Sequence, residues 1–246
     1  MTKQNIYDNE QFFNGYIKIR ERENNHNDII ERPTMLGLLP DVQGKTILDL
    51  GCGYGYLCSK LVELGASKIV GIDISTKMLE VAKKENSHKK IQYFNIDMEN
   101  IENLNMKFDV VVSSLALQYV ENYSKLVKDV YNLLQDKGYF LYSCEHPLTT
   151  AYYADKNRYT EDENGNRLHA NVYDYSLENL RSENWFVDEV EKYHRTFSTL
   201  TNELLAAGFS LRKIVEPIAD EKIIAKYPKF KDNKIRPDFI FFKAQK

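Results

Sequence analysis

The chain has 246 residues, 43% of them hydrophobic, with a formal net charge of -3 and a pI near 6.0, which suits one α/β domain with a full core and gives no general attraction to nucleic acid or anionic membranes. Its three cysteines, Cys52, Cys58 and Cys144, lack CxxC spacing, which argues against a disulfide framework or a zinc site and fits a reducing compartment. The start Met1-Thr-Lys-Gln-Asn5 has no apolar signal-peptide core and no run nears the roughly 18 apolar residues of a membrane span, so a soluble cytoplasmic protein, monomer or homodimer, is expected.

In chain order, residues 1–44 read as an N-terminal helical cap on a single domain. Phe12, Phe13, Tyr16, Ile17 and Ile19 cluster at helical spacing, and Met35, Leu36, Leu38 and Leu39 form a second apolar group after Pro33. Between them Glu23-Asn-Asn-His-Asn-Asp28 has loop chemistry. From Lys45, short β-branched runs alternate with helical patterns, the mark of a mostly parallel sheet flanked by helices. Strands are predicted at 45–50, 68–73, 91–95, 107–113 and 137–144, and helices at 56–64, 76–86 and 123–134, with Gly65 and Gly138 placed for helix C-caps or tight returns. The alternation stops over 145–195, where Tyr152, Tyr153, Tyr159, Trp185 and Phe186 stand among charges. That segment is too aromatic for a disordered linker and predicts a lid over the carboxyl end of the sheet. Over 196–246, a helix near 199–207, a stop at Gly208 and strands near 209–215 and 236–243 complete the sheet.

The most informative run is Thr46-Ile-Leu-Asp-Leu-Gly-Cys-Gly-Tyr-Gly55, followed by Lys68-Ile-Val-Gly-Ile-Asp73. A buried strand ends in glycines that permit positive φ and close ligand approach, and the helix start beyond them can receive an anion. Asp73 ends the next strand 22 residues after Gly51, the position from which a carboxylate grips a ribose diol. A dinucleotide fingerprint would be GxGxxG; here Gly55 comes one residue early and Tyr56 would crowd a pyrophosphate.

The chain instead resembles class I S-adenosylmethionine-dependent methyltransferases, of the small-molecule type found in ubiquinone biosynthesis, over roughly residues 40–145. The resemblance implies a Rossmann-like fold with a seven-stranded sheet in the order 3-2-1-4-5-7-6, the last pair antiparallel. It also implies S-adenosylmethionine as cofactor. Gly51, Cys52, Gly53 and Gly55 would wrap its methionine part, with Asp49 orienting the loop by hydrogen bonds. Asp73 would bind the ribose, Asp97 the adenine amino group, and Ile74, Met78 and Met98 the ring. The backbone of Ser113 and Ser114 would face the cofactor amino group, with Leu115 packed nearby. An N-terminal helix closes over the cofactor in related enzymes, where Tyr16 and Arg20, four residues apart, share a helical face and Arg20 would pair with the cofactor carboxylate.

Methyl transfer is an in-line displacement that a base assists only where the acceptor sheds a proton. His146, after the fifth strand, and His194, where the lid returns, are the candidate bases. Gln118, Tyr119, Glu145 and Tyr193 are candidates for orienting the acceptor, while His26, His88 and His169 sit in polar surroundings and read as exposed. No three of these residues have metal-ligand spacing. The DPPY or NPPY motif of amino-directed nucleic-acid methyltransferases is absent, Ser113-Ser-Leu-Ala116 standing in its place, and so is the Pro-Cys pair of cytosine methyltransferases. The basic stretch Lys226, Lys229, Lys231, Lys234 and Arg236, interrupted by Asp232, reads as a solvated loop. A small-molecule acceptor is favoured, with a tRNA or protein methyltransferase, or a cofactor-binding protein that transfers nothing, as the rivals.

Overall fold

Strand β1, Thr46–Leu50, is an almost continuous apolar run because both of its faces are covered, as a central parallel strand requires. In the computed structural model, which describes residues 4–20 and 22–246, Leu48 and Leu50 point into one core and Ile47 into the other. Residues 1–3 of the polar start, and residue 21, lie outside the described residues.

The N-terminal cap holds α1, Glu10–Arg20, and α2, Arg32–Leu38. A π-helical turn over Asn27–Glu31 leads into α2, so part of the expected loop is helical. After β1 come α3, Tyr56–Glu63, β2, Lys68–Asp73, α4, Thr76–Glu85, β3, Ile91–Asn95, and β4, Phe108–Ser114. Next are α5, Tyr123–Leu133, and β5, Leu134–Glu145. Helix α5 buries Tyr123, Leu126, Val127, Val130 and Leu133, an i, i+3, i+4, i+7 stripe whose larger side chains each contribute about 1.5–3 kcal/mol. Asn122 caps its start by accepting from Lys125 N–H.

The segment after β5 contains the short helix α6, Pro147–Thr150, and two hairpins. These pair β6, Tyr159–Glu161, with β7, Arg167–Ala170, and β8, Leu180–Trp185, with β9, Val187–Tyr193. The chain closes with α7, Phe197–Ala206, β10, Ser210–Val215, α8, Glu221–Lys226, and β11, Phe239–Gln245. The main sheet runs β3-β2-β1-β4-β5-β11-β10. With the four lid strands left out of the count, this is the expected order 3-2-1-4-5-7-6, and β11 is antiparallel to both neighbours.

Two expectations change. Gly138 lies inside β5 rather than at a helix end, and a Cβ there would come within 3.0 Å of Asp109 O, so its glycine serves close strand approach. The basic stretch is partly folded: Pro228–Lys234 forms a 3-10 turn with Phe230 and Asn233 buried, and Arg236 is 5% exposed, while Lys226, Lys229, Lys231 and Lys234 are solvated as expected.

Candidate functional site

The turn after β1 carries three glycines with positive φ: Gly51 at 67°, Gly53 at 54° and Gly55 at 82°. A Cβ on Gly51 would lie 2.5 Å from Ala116 Cβ, whereas one on Gly53 would meet nothing within 4 Å, so the loop opens toward a cavity at Gly53. The role of Gly55 is different: a Cβ there would lie 2.2 Å from Tyr93 Oη, so it lets β3 close against the turn and does not line the cavity. Gly53 N–H donates to Asp73 Oδ2 at 2.8 Å and Ser75 N–H to Oδ1 at 2.8 Å. Burial raises the pKa of Asp73 above the ordinary carboxylate value against these bonds, and its remaining lone pairs are left for hydroxyl donors.

This turn opens into a cavity of about 350 Å³ that crosses the carboxyl edge of the sheet. Over β1 to β3 it is lined by Gly51, Cys52, Gly53, Asp73, Ile74 and Met78, with Asp97 and Met98 just beyond. Asp97 also caps the following 3-10 turn by accepting from Glu99 N–H at 3.0 Å. Over β4 and β5 the lining continues through Ser114, Leu115, Gln118, Tyr119 and Glu145, and it ends at Arg236, Asp238 and Phe239 beside β11. Leu115 has φ 52°, a left-handed conformation that costs a non-glycine residue about 1–3 kcal/mol and clusters at functional sites. Gln118 Nε2 donates to Leu115 O at 2.7 Å, and its buried Oε1 has no partner.

From α1, Tyr16 and Arg20 both line the cavity. Arg20 donates to Tyr54 Oη at 3.1 Å and pairs with Asp28 at 3.2 Å. Arg32 also contacts Tyr54 and Asp28, and stacks over Tyr56 at 3.5 Å. Two cations therefore meet one phenol at the helix start after the glycine turn, an anion-binding arrangement. Sequence reasoning missed Arg32, Tyr54 and above all Glu31. Glu31 is 1% exposed, and its Oε1 accepts from Ser114 at 2.8 Å and Ser143 at 2.6 Å. Burial pushes its pKa up despite both serines. No spacing signal marks Glu31, because it reaches the sheet edge from a distant π-helical turn.

Aromatic rings from the N-terminal cap, from the turn after β4 and from the lid meet at the cavity, beside a buried ion chain. Tyr7, Tyr16, Tyr119 and Trp185 line the cavity, with Tyr7 edge-on to Tyr16 and to Tyr119 at 5.2 and 6.1 Å. Lys192 is buried between Glu145, at 2.7 Å, and Glu183, and Arg158 pairs with Glu183 at 2.5 Å. Burial pushes the Lys192 pKa down, but Glu145 and Glu183 outweigh it and hold it above the ordinary value. Gly15 lets α1 touch the lid, since a Cβ there would lie 2.6 Å from the Phe186 ring. Gln11 donates to Phe186 O across the same contact at 2.8 Å.

Several sequence-level assignments are corrected. His146 does not line the cavity: its Nδ1 caps α6 by accepting from Leu148 N–H at 3.0 Å, and Nε2 bonds Glu216 at 2.8 Å. His194 likewise ties Thr150 Oγ1 at 2.7 Å to Tyr175 O at 2.8 Å. Burial lowers both pKa values, and neither ring has a nitrogen left to take a proton from an acceptor. Tyr193 lies in a separate small crevice near Arg195 and Leu200. Ser113 does not line the cavity, although Ser114 does, and its buried hydroxyl donates to Leu50 O at 2.7 Å. Asp49 accepts from the Cys58 thiol of α3 at 3.2 Å instead of from loop amides. His26 is half-buried, lines the cavity and bonds Asp238 at 2.7 Å, whereas His88 and His169 are exposed as expected.

Residues 41–198 match the family model described as a methyltransferase domain. A candidate S-adenosylmethionine-dependent methyltransferase of Listeria monocytogenes has a crystal structure that superposes with a TM-score of 0.81 at 36% identity, over 88% of this chain and 96% of that one. An uncharacterized protein of Haemophilus influenzae is 36% identical over all of this chain and 98% of its own. A ubiquinone biosynthesis O-methyltransferase of Glaesserella parasuis is 32% identical over 44% of this chain and 49% of that enzyme. Among the described residues no helix is long and apolar enough to cross a membrane.

Proposed function

The chain belongs to the S-adenosylmethionine-dependent methyltransferases, and from that premise we propose that it methylates a small molecule, on O, N or C, held over β4, β5 and β11 in the cytoplasm. The observation that carries this reading is the single cavity that begins at the glycine turn and continues under the aromatic lid. Its lining is continuous, concave and mostly apolar, as small-molecule sites are.

Where the donor is bound, it supplies a methyl group already activated on a sulfonium. Asp73 and Asp97 hold its ribose and adenine in this reading, with Ile74, Met78 and Met98 against the ring. Arg20, Arg32 and Tyr54 hold its carboxylate, and Glu31 neutralises positive charge beside Ser114. Gln118, Tyr119 and Glu145 orient the acceptor. Holding two reactants at attack distance supplies about 7–11 kcal/mol of barrier reduction.

The test is an acceptor screen with methyl-labelled S-adenosylmethionine. Label in a product of low molecular mass, matched by S-adenosylhomocysteine formed, supports the reading. Label confined to tRNA or protein would replace it with the macromolecular alternative.

A further inference from the structure

We propose that Arg236 is a specificity residue that clamps a carboxylate of the methyl acceptor, so that the acceptor is an acidic small molecule; this rests on the methyltransferase reading above. Arg236 is 5% exposed and lines the cavity. Its nearest anion, Asp238, stands at 3.6 Å, beyond hydrogen-bond distance, and its buried Nε has no partner. Among the described residues the guanidinium makes no hydrogen bond; it forms a long ion pair with Asp238 Oδ1 and stacks at 5.2 Å from the Tyr159 ring. The other oxygen of Asp238, Oδ2, accepts from His26 and Asn233 at 2.7 Å each.

A buried donor left unmade costs about 1–3 kcal/mol, and more when charged. An arginine kept in that state beside a cavity is poised for an external acceptor, and its planar fork matches the two oxygens of a carboxylate. A second guanidinium, Arg158, lines the same cavity and gives one Nη to Glu183 at 2.5 Å, leaving its other donors free of hydrogen bonds among the described residues. The neighbouring carboxylate Glu145 is matched by Lys192, so the two arginines offer the unfilled donors at this end.

Position separates this end from the cofactor. Arg236 precedes Phe239, which pairs with Glu145 at the carboxyl end of β5. From β1 to β11 is three strand spacings, about 15 Å across the sheet edge. The cofactor carboxylate has its own cations, Arg20 and Arg32, at the glycine turn. Benzoate, a flat ring with one carboxylate, is the simplest probe for such a clamp.

Calorimetry on protein loaded with S-adenosylhomocysteine tests the clamp. Benzoate should bind about tenfold or more tightly than the isosteric benzamide. Arg236→Met should abolish that preference, Arg236→Lys should restore part of it, and both variants should bind S-adenosylhomocysteine as the parent does. No benzoate binding, equal binding of benzamide, or a preference that survives Arg236→Met overturns the proposal. In parallel, labelled methyl transfer is measured into a small-molecule cell extract before and after its carboxylates are converted to amides. Amidation should remove the label, and label that survives it also overturns the clamp. Absence of label from both extracts counts against the methyltransferase reading alone, and the benzoate titration then decides the clamp.

Discussion

Gly53 N–H donates to Asp73 Oδ2 at 2.8 Å, so the turn after β1 and the carboxylate ending β2 form one unit. In the proposed reading, replacing Asp73 by Ala removes both the ribose acceptor and the anchor of the glycine turn. S-adenosylmethionine should then bind at least about tenfold more weakly, the scale of losing a charged hydrogen bond. Unchanged affinity by calorimetry would show that the ribose sits elsewhere.

Both histidines act as loop ties, and their kinetics should reflect it. His146→Ala should lower stability by about 1 kcal/mol through loss of the α6 cap, with turnover retained under folding conditions. The same holds for His194→Ala, and neither variant should alter the acid limb of the pH–rate profile. A drop in kcat at constant KM for the cofactor in either variant would restore a catalytic histidine.

Burial pushes the Asp49 carboxyl up to about 7, against an unfolded value of about 3.9. Between those values the folded state keeps a proton that the unfolded chain has released, so stability falls as pH rises through this window and is complete below it. Asp49→Asn stays neutral throughout. Its stability relative to the parent should therefore be nearly level near pH 4 and increasingly favourable toward pH 8, as read by urea melts. A difference that does not grow with pH would mean Asp49 is ionised in the fold.

Gly15 sits inside α1, where alanine would normally stabilise by up to about 1 kcal/mol. The Phe186 ring is packed edge-on to Phe12 at 5.5 Å and stacked on Trp185 at 5.1 Å, so moving it away from α1 disturbs both contacts. Overpacking costs about 1–3 kcal/mol and should win, so Gly15→Ala is expected to lower the melting temperature and loosen the cap against the lid. Faster proteolysis of the lid in the variant would report that loosening; a higher melting temperature would show that the contact yields.

Elements built by local pattern were legible in advance. β2 and β3 fall on their expected residues, and α3, α4 and α5 end within a residue of expectation, because period-two and period-3.6 burial is written into neighbouring side chains. The glycine turn with Asp73 was legible for a similar reason: positive φ at a strand end restricts residue choice sharply. The lid hairpins were not legible, since β6 and β7 are mostly exposed and carry little apolar alternation.

The sequence by itself determined the donor half of this protein: the parallel sheet, the glycine turn, and the carboxylates at successive strand ends. Backbone conformation and strand burial are local demands, and local demands leave local traces. Only the tertiary structure decided which distant residues join the cavity. Glu31, Arg158 and Arg236 come from a π-helical turn, the lid and the entry to the last strand, and they meet at one sheet edge through packing between segments far apart in the chain. Packing likewise took His146 and His194 out of the site, because capping a helix and tying a loop consumed the ring nitrogens that catalysis would have needed.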